Sequence, residues 1–146
     1  MVWRVLAIVT PLVLLAYLAL IDFANLYPWN DTASVPKRER IRDALLNYPP
    51  LVIASIAFLL DNQVLRIIGL VLVVVYTIGN AASWWIPYVV GATANQRRQY
   101  QTSFSRTSKS LPPIRDHPVP DNEHVVVSVL IWVMLVSSIV TFITRP

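Results

Sequence analysis

The chain contains no cysteine. Disulfide staples, thiol nucleophiles and Cys-ligated zinc or iron–sulfur centres are therefore excluded. Glycine is almost as scarce, with three residues and no Gly-x-x-x-Gly pair. A glycine-rich phosphate cradle and a glycine-lined helix seam are both ruled out. Charge is the third shortage. Asp, Glu, Lys and Arg make up 14% of the 146 residues, against about 25% in soluble domains. There is no Gly-x-Ser-x-Gly elbow, no EF-hand loop and no internal repeat.

What remains is apolar, and it falls into blocks. Arg4 to Asp22 encloses 17 uncharged residues, Asp43 to Asp61 another 17, Arg66 to Arg97 30, and Glu123 to Arg145 21. A hydrocarbon core of about 30 Å needs roughly 17–25 apolar residues as a helix. Spanning strands would alternate polar and apolar residues, and "LVLVVVYTIG" does not. The expected fold is an all-α integral membrane protein, a four-transmembrane-helix bundle forming one domain. Its helices are expected at about 3–26, 44–60, 64–88 and 122–144, with loops at 27–43 and 91–121. Pro28 ends the first helix, "DNQ" at 61–63 makes a tight turn, and Gly91 is available to end the third helix. Pro49 and Pro50 are expected at the start of the second helix or at a kink in it. The first block is longer than the roughly 7–15 apolar residues of a signal peptide and is read as a retained helix.

Lys and Arg set the orientation. The two long loops carry Lys37, Arg38, Arg40, Arg42, Arg97, Arg98, Arg106, Lys109 and Arg115, nine in all. The other side carries Arg4, Arg66 and Arg145. This bias predicts cytoplasmic loops, with the N-terminus and C-terminus both outside (N-out/C-out), in a membrane such as the bacterial cytoplasmic (inner) membrane. "NDT" at 30–32 matches a glycosylation acceptor, but this orientation leaves it in the cytosol. Trp29, Trp84, Trp85 and Tyr88, with Tyr27 and Tyr48, gather where amphipathic rings anchor helices at an interface. "WWIPY" is read as part of that belt rather than as a binding cage.

Both histidines lie in "DHPVPDNEH", residues 116–124. Pro118 and Pro120 hold this segment extended. Asp121 fits the N-cap of the fourth helix, and Glu123 fits its first turn, where negative charge suits the helix dipole. On the chemical reading, His117, Asp121 and His124 are ligands for a divalent metal, or His117, His124 and Asp22 act as acid–base groups. The spacing is not that of a helical His-x-x-x-His pair, so the expectation favours capping and docking, with no cofactor required. A second constellation is a polar pocket in the cytoplasmic half: Asp22, Asn25, Asn47, Asn80, Ser83 and His124. Buried polar groups there are expected to meet across helices, with Asn80 or His124 as partner to Asp22. The basic stretch "NQRRQYQTSFSRTSKS" could lie along anionic lipid. Membrane insertion already accounts for its charge, so nucleic acid is not expected as a partner.

Three functions fit these features. The leading expectation is a non-catalytic membrane module that docks a partner protein or membrane lipids through its cytoplasmic loops, alone or as a homo-oligomer. The second is a membrane-embedded, metal-dependent enzyme acting on lipid or isoprenoid head groups through His117, Asp121 and His124. The third is an oligomeric channel or transporter subunit lined by Asp22, Asn80 and Ser83.

Overall fold

A computed structural model describes residues 1–60 and 62–144. Asp61, which belongs to the expected 61–63 turn, and Arg145, counted in the orientation bias, lie outside the described residues. The described residues contain helices and no strand. Three helices are long and apolar enough to cross a membrane: α1 (Val2–Phe23), α3 (Gln63–Val89) and α5 (Asn122–Thr144). The fourth long helix, α2 (Lys37–Leu59), differs. It begins two turns before the expected Ala44, because Lys37, Arg38, Glu39 and Arg40 are sound helix formers although polar. Pro49 and Pro50 lie within α2 rather than at its start. A short helix, α4 (Ala94–Ser103), occupies part of the loop expected between α3 and α5.

The long helices pack in a ring. α1 lies against α2 and α5, and α3 lies against the other sides of both. Leu14, Leu51, Val73, Ile131 and Met134 fill the centre. Ala7, Thr10, Ser137, Ser138 and Thr141 are buried as well, the small side chains that let membrane helices approach closely. Val13, Leu20, Ile56, Ile67, Val71, Val75, Val129 and Val136 point outward and are exposed. An exterior this apolar suits lipid and does not suit water.

Several helix ends have side-chain partners for their free backbone groups. Asn30 closes α1: its Oδ1 accepts from the Leu26 N–H at 2.7 Å, and its Nδ2 donates to the carbonyls of Ile21 and Ala24 at 2.8 and 2.9 Å. The side chain of the "NDT" acceptor is therefore already used. Arg4 donates to the carbonyls of Phe58 and Leu59 and closes α2. The Asn62 side chain accepts from the N–H groups of Val64 and Leu65 and opens α3. Thr93 and Gln96 form a reciprocal capping box on α4. At the end of α4, the Lys109 ammonium donates to the carbonyls of Phe104, Ser105 and Thr107.

Residues 81–85 of α3 form a π-helical turn. Such a turn inserts one residue and leaves a carbonyl without its usual partner. The Ala82 carbonyl accepts instead from the Gln96 side chain, which docks α4 on α3. α3 then ends at Gly91, whose φ of +124° few other residues would adopt.

Two glycines inside α3 should respond oppositely to substitution. A Cβ at Gly69 would sit 3.1 Å from Ala57 Cβ and from the Phe58 ring, whereas one at Gly79 would meet nothing within 4 Å. Gly69→Leu is expected to lower stability by about 1–3 kcal/mol through overpacking against α2. Gly79→Ala is expected to raise it by about 0.5–1 kcal/mol. Unfolding in mild detergent, followed by circular dichroism, measures both.

Candidate functional site

The ends of α1 and α3, the first half of α2, α4 and the start of α5 enclose a cleft of about 580 Å³. Asp22, Asn47, Asn80, Ser83 and His124 line it, together with Tyr76, Trp84, Tyr100 and Glu123. Five of the six residues expected in a polar pocket thus share one cavity. The sixth, Asn25, does not line it; its side chain accepts from the Thr32 hydroxyl at 3.3 Å, just after α1.

His124 is the most constrained group in the cleft. Its Nδ1–H donates to Asp121 Oδ1 at 2.6 Å. The same carboxylate oxygen accepts the His124 backbone N–H at 3.1 Å, so Asp121 is the N-cap of α5 as well as the partner of the imidazole. Oδ2 of Asp121 accepts from the Thr107 hydroxyl at 2.7 Å. The imidazole is flanked by Trp84, with ring centres 3.7 Å apart, and meets Phe104 edge-on at 5.2 Å. His124 Nε2 takes part in no hydrogen bond among the described residues. Asp121 is completely buried. Burial alone would raise its carboxyl pKa. The hydrogen bonds and charge of His124, with the Thr107 hydroxyl, outweigh burial and hold it below the ordinary carboxylate range.

Beneath His124, a hydroxyl joins α3 to α5. Ser128 Oγ donates to the His124 carbonyl at 2.7 Å and accepts from Asn80 Nδ2 and Trp85 Nε1, each at 3.0 Å. Asn80 therefore does not meet Asp22, as had been expected. Asp22 instead accepts from the Tyr48 hydroxyl at 2.8 Å, and its carbonyl accepts from Arg40 at 3.0 Å. α2 supplies the partners because its added N-terminal turns bring Arg40 alongside the end of α1.

His117 is not a lining residue of the cleft. Its Nδ1–H donates to the Tyr88 carbonyl at 2.9 Å. It closes the C-terminus of α3, with its ring against Gly91. The expected metal set of His117, Asp121 and His124 therefore does not converge. Among the described residues, no group of three His, Asp or Glu could hold a metal ion. The extended Pro118–Pro120 segment explains the separation.

The aromatic residues expected in a belt turn their polar ends to protein. Trp29 Nε1 donates to the Tyr17 hydroxyl at 2.9 Å, Trp85 donates to Ser128, and the Tyr88 hydroxyl donates to the Pro112 carbonyl at 2.8 Å. Trp84 lines the cleft. The loop after α4 is fastened over the opening. Arg106 pairs with Asp31 at 2.6 Å, Arg97 pairs with Asp116 at 2.7 Å, and the Ser108 N–H donates to the Pro28 carbonyl at 2.7 Å. Sequence reasoning missed Thr107, gave Tyr48 a place in the belt rather than at Asp22, and gave Glu123 a dipole role alone. The Thr93–Gln96 spacing was the available sign of α4; for Thr107 no local pattern exists.

The chain matches no protein-family model, no curated protein and no solved structure.

Removing the buried carboxylate should be costly. Asp121→Ala loses an N-cap and leaves the Thr107 and His124 donors unpaired, and it should destabilise the fold by about 2–4 kcal/mol. The sign of the pH effect follows from the lowered carboxyl pKa. Its stabilisation is complete above the ordinary value of 3.8 and is lost as pH falls from there through the lower folded value. The stability gap between wild type and Asp121→Asn should therefore be constant at neutral pH and should close on acidification below about pH 4. Thermal unfolding across a pH series reads both effects.

Proposed function

We propose that this protein is a four-span membrane protein of the bacterial cytoplasmic membrane, N-out/C-out, that binds the polar head of a membrane amphiphile in the cleft between its helix ends and its cytoplasmic loops. The observation that carries the reading is the position of the cleft. It carries the polar groups of Asp22, Asn80, Glu123 and His124 on a largely apolar wall and lies at one end of apolar helices, the depth at which head groups sit. Its walls combine apolar and aromatic surface with a few fixed polar groups, the usual composition of a small-molecule site. Non-catalytic docking of a lipid is the simplest form of this function. α2 serves as the fourth span: residues 44–59 are uncharged and reach about 24 Å as a helix, while its first turns remain among head groups.

A second form, an enzyme acting on the same head groups, is favoured by one observation. A carboxylate-oriented imidazole with a free Nε2 is the arrangement of a general base. In that form His124 would take a proton from a head-group hydroxyl or from water, and Asp121 would hold the tautomer. No step requires His117 or a metal.

Native mass spectrometry of protein extracted in mild detergent tests the binding. Ser83 is exposed on the cleft wall and makes none of the Asp121 cluster's hydrogen bonds, so Ser83→Trp puts an indole in the cavity without removing a member of that cluster. Wild type should retain an amphiphile that Ser83→Trp loses. Equal occupancy in the two proteins would refute head-group binding in the cleft. Release of a chemically altered head group during incubation with extracted lipids would establish the enzymatic form.

The orientation has its own test. Because the chain lacks cysteine, single cysteines at Lys37 and Gln101, both exposed, give clean reporters. Each should react with a membrane-impermeant thiol reagent only after permeabilisation. Labelling of both in intact cells would reverse the proposed topology.

A further inference from the structure

Glu123 has no role in holding the cleft together. It is only 8% exposed, lines the cavity, and accepts no hydrogen bond among the described residues. His124 Nδ1 lies 3.7 Å from its Oε1, and the Nδ1 proton already goes to Asp121. Its carboxylate therefore faces the cavity with no hydrogen-bond donor from the described residues, where water or a ligand head can meet it. Asp22 stands on the same cavity, and among the described residues its carboxylate accepts from the Tyr48 hydroxyl alone.

The remaining charges show which sign is missing. Asp31 also lines the cleft but is paired with Arg106, and Asp43 is paired with Arg42. Arg40 is the single guanidinium lining the cavity among the described residues; one terminal nitrogen donates to the Asp22 carbonyl, and its buried Nε has no partner there. One guanidinium therefore stands against the two carboxylates of Asp22 and Glu123. The lining also includes Tyr76 and Trp84, and ring faces attract cations rather than anions.

We propose that the amphiphile held in this cleft carries a positively charged ammonium head, which is placed between Glu123 and Asp22. The inference rests on the head-group reading above and specifies its ligand class. An ammonium supplies the donors that the Glu123 carboxylate lacks and offsets the excess negative charge. In a site shielded from water, that attraction exceeds its strength at an open surface. An anionic head would meet two carboxylates, with only Arg40 in its favour. A neutral hydroxyl head would satisfy hydrogen bonding but leave the charge uncompensated.

Three ten-carbon probes that differ only in the head test this at neutral pH: decylammonium, decyl phosphate and decanol. Each is titrated by calorimetry into wild-type protein in neutral maltoside micelles, with Ser83→Trp as the background for micelle partition. The ammonium probe should bind wild type at least about tenfold more tightly than the other two, a difference of ~1.4 kcal/mol. Glu123→Gln and Asp22→Asn should each reduce that preference while leaving decanol binding unchanged. Both keep side-chain size, and their folding is checked by circular dichroism. Should either variant fail to fold, the wild-type ranking still decides. If decyl phosphate or decanol binds as tightly as the ammonium probe, the ammonium proposal is overturned and the head-group reading stands. If none of the three binds above the Ser83→Trp background, both fall together.

Discussion

Asp121 is a carboxylate sealed from solvent at the end of a membrane helix, and the cleft depends on how it is satisfied. A buried charge without partners would neutralise itself or unfold its surroundings. Here three donors converge on it: the His124 backbone N–H, the His124 imidazole and the Thr107 hydroxyl. These bonds do different things. The first starts α5, the second fixes the ring that faces the cavity, and the third draws the loop after α4 onto the helix end. Local structure, tertiary closure and site chemistry therefore share one side chain. Losing a single partner weakens all three, because each bond strengthens in the low dielectric that the others help to maintain.

The remaining polar contacts extend this arrangement. Ser128 ties α3 to α5 one turn below His124. The π-helical turn exposes the Ala82 carbonyl that receives α4, and α4 with its following loop then covers the cleft. Tyr48 and Arg40 hold the end of α1 from the side of α2. Every side of the cleft is thus positioned by a hydrogen bond to a named element, while the apolar core lies further along the helices around Leu14, Val73, Ile131 and Met134. The cleft thus sets a few polar groups on a largely apolar wall that runs on into the apolar bundle.

Much of the helical framework could be read from the absence of charge. Long uncharged blocks marked α1, α3 and α5, because an apolar run of that length has few soluble uses. The start of α5 was legible at Asp121, where prolines stop and a capping carboxylate begins. The start of α2 was not, since charge-free blocks report lipid contact rather than helix, and Lys37–Arg42 is helical yet polar. α4 was read as a basic, surface-seeking stretch, although its Thr93–Gln96 capping spacing stands in the sequence. In the site, Asp22, Asn47, Asn80, Ser83 and His124 could be grouped by depth and helix face, which is why they share a cavity. Their bonds could not be assigned, because depth does not say which neighbour wins: Ser128 takes Asn80, and Tyr48 takes Asp22. His117 and His124 are close in sequence, but two prolines between them send the rings to different helices. Glu123 was hidden by its position, where the helix dipole already gives an acid a reason to be.

The central claim is that Asp121 holds the His124 imidazole by Nδ1 and leaves Nε2 for the cavity. Nitrogen-15 NMR of the histidine side chains, in lipid nanodiscs and with the two rings assigned through a His117→Gln variant, reports this directly. The account predicts a proton on His124 Nδ1, shifted strongly downfield by its hydrogen bond and protected from exchange. It also predicts that this proton is lost from its protected state in Asp121→Asn. A His124 ring protonated on Nε2 with a bare Nδ1, or one whose ring protons exchange freely with water, would contradict it.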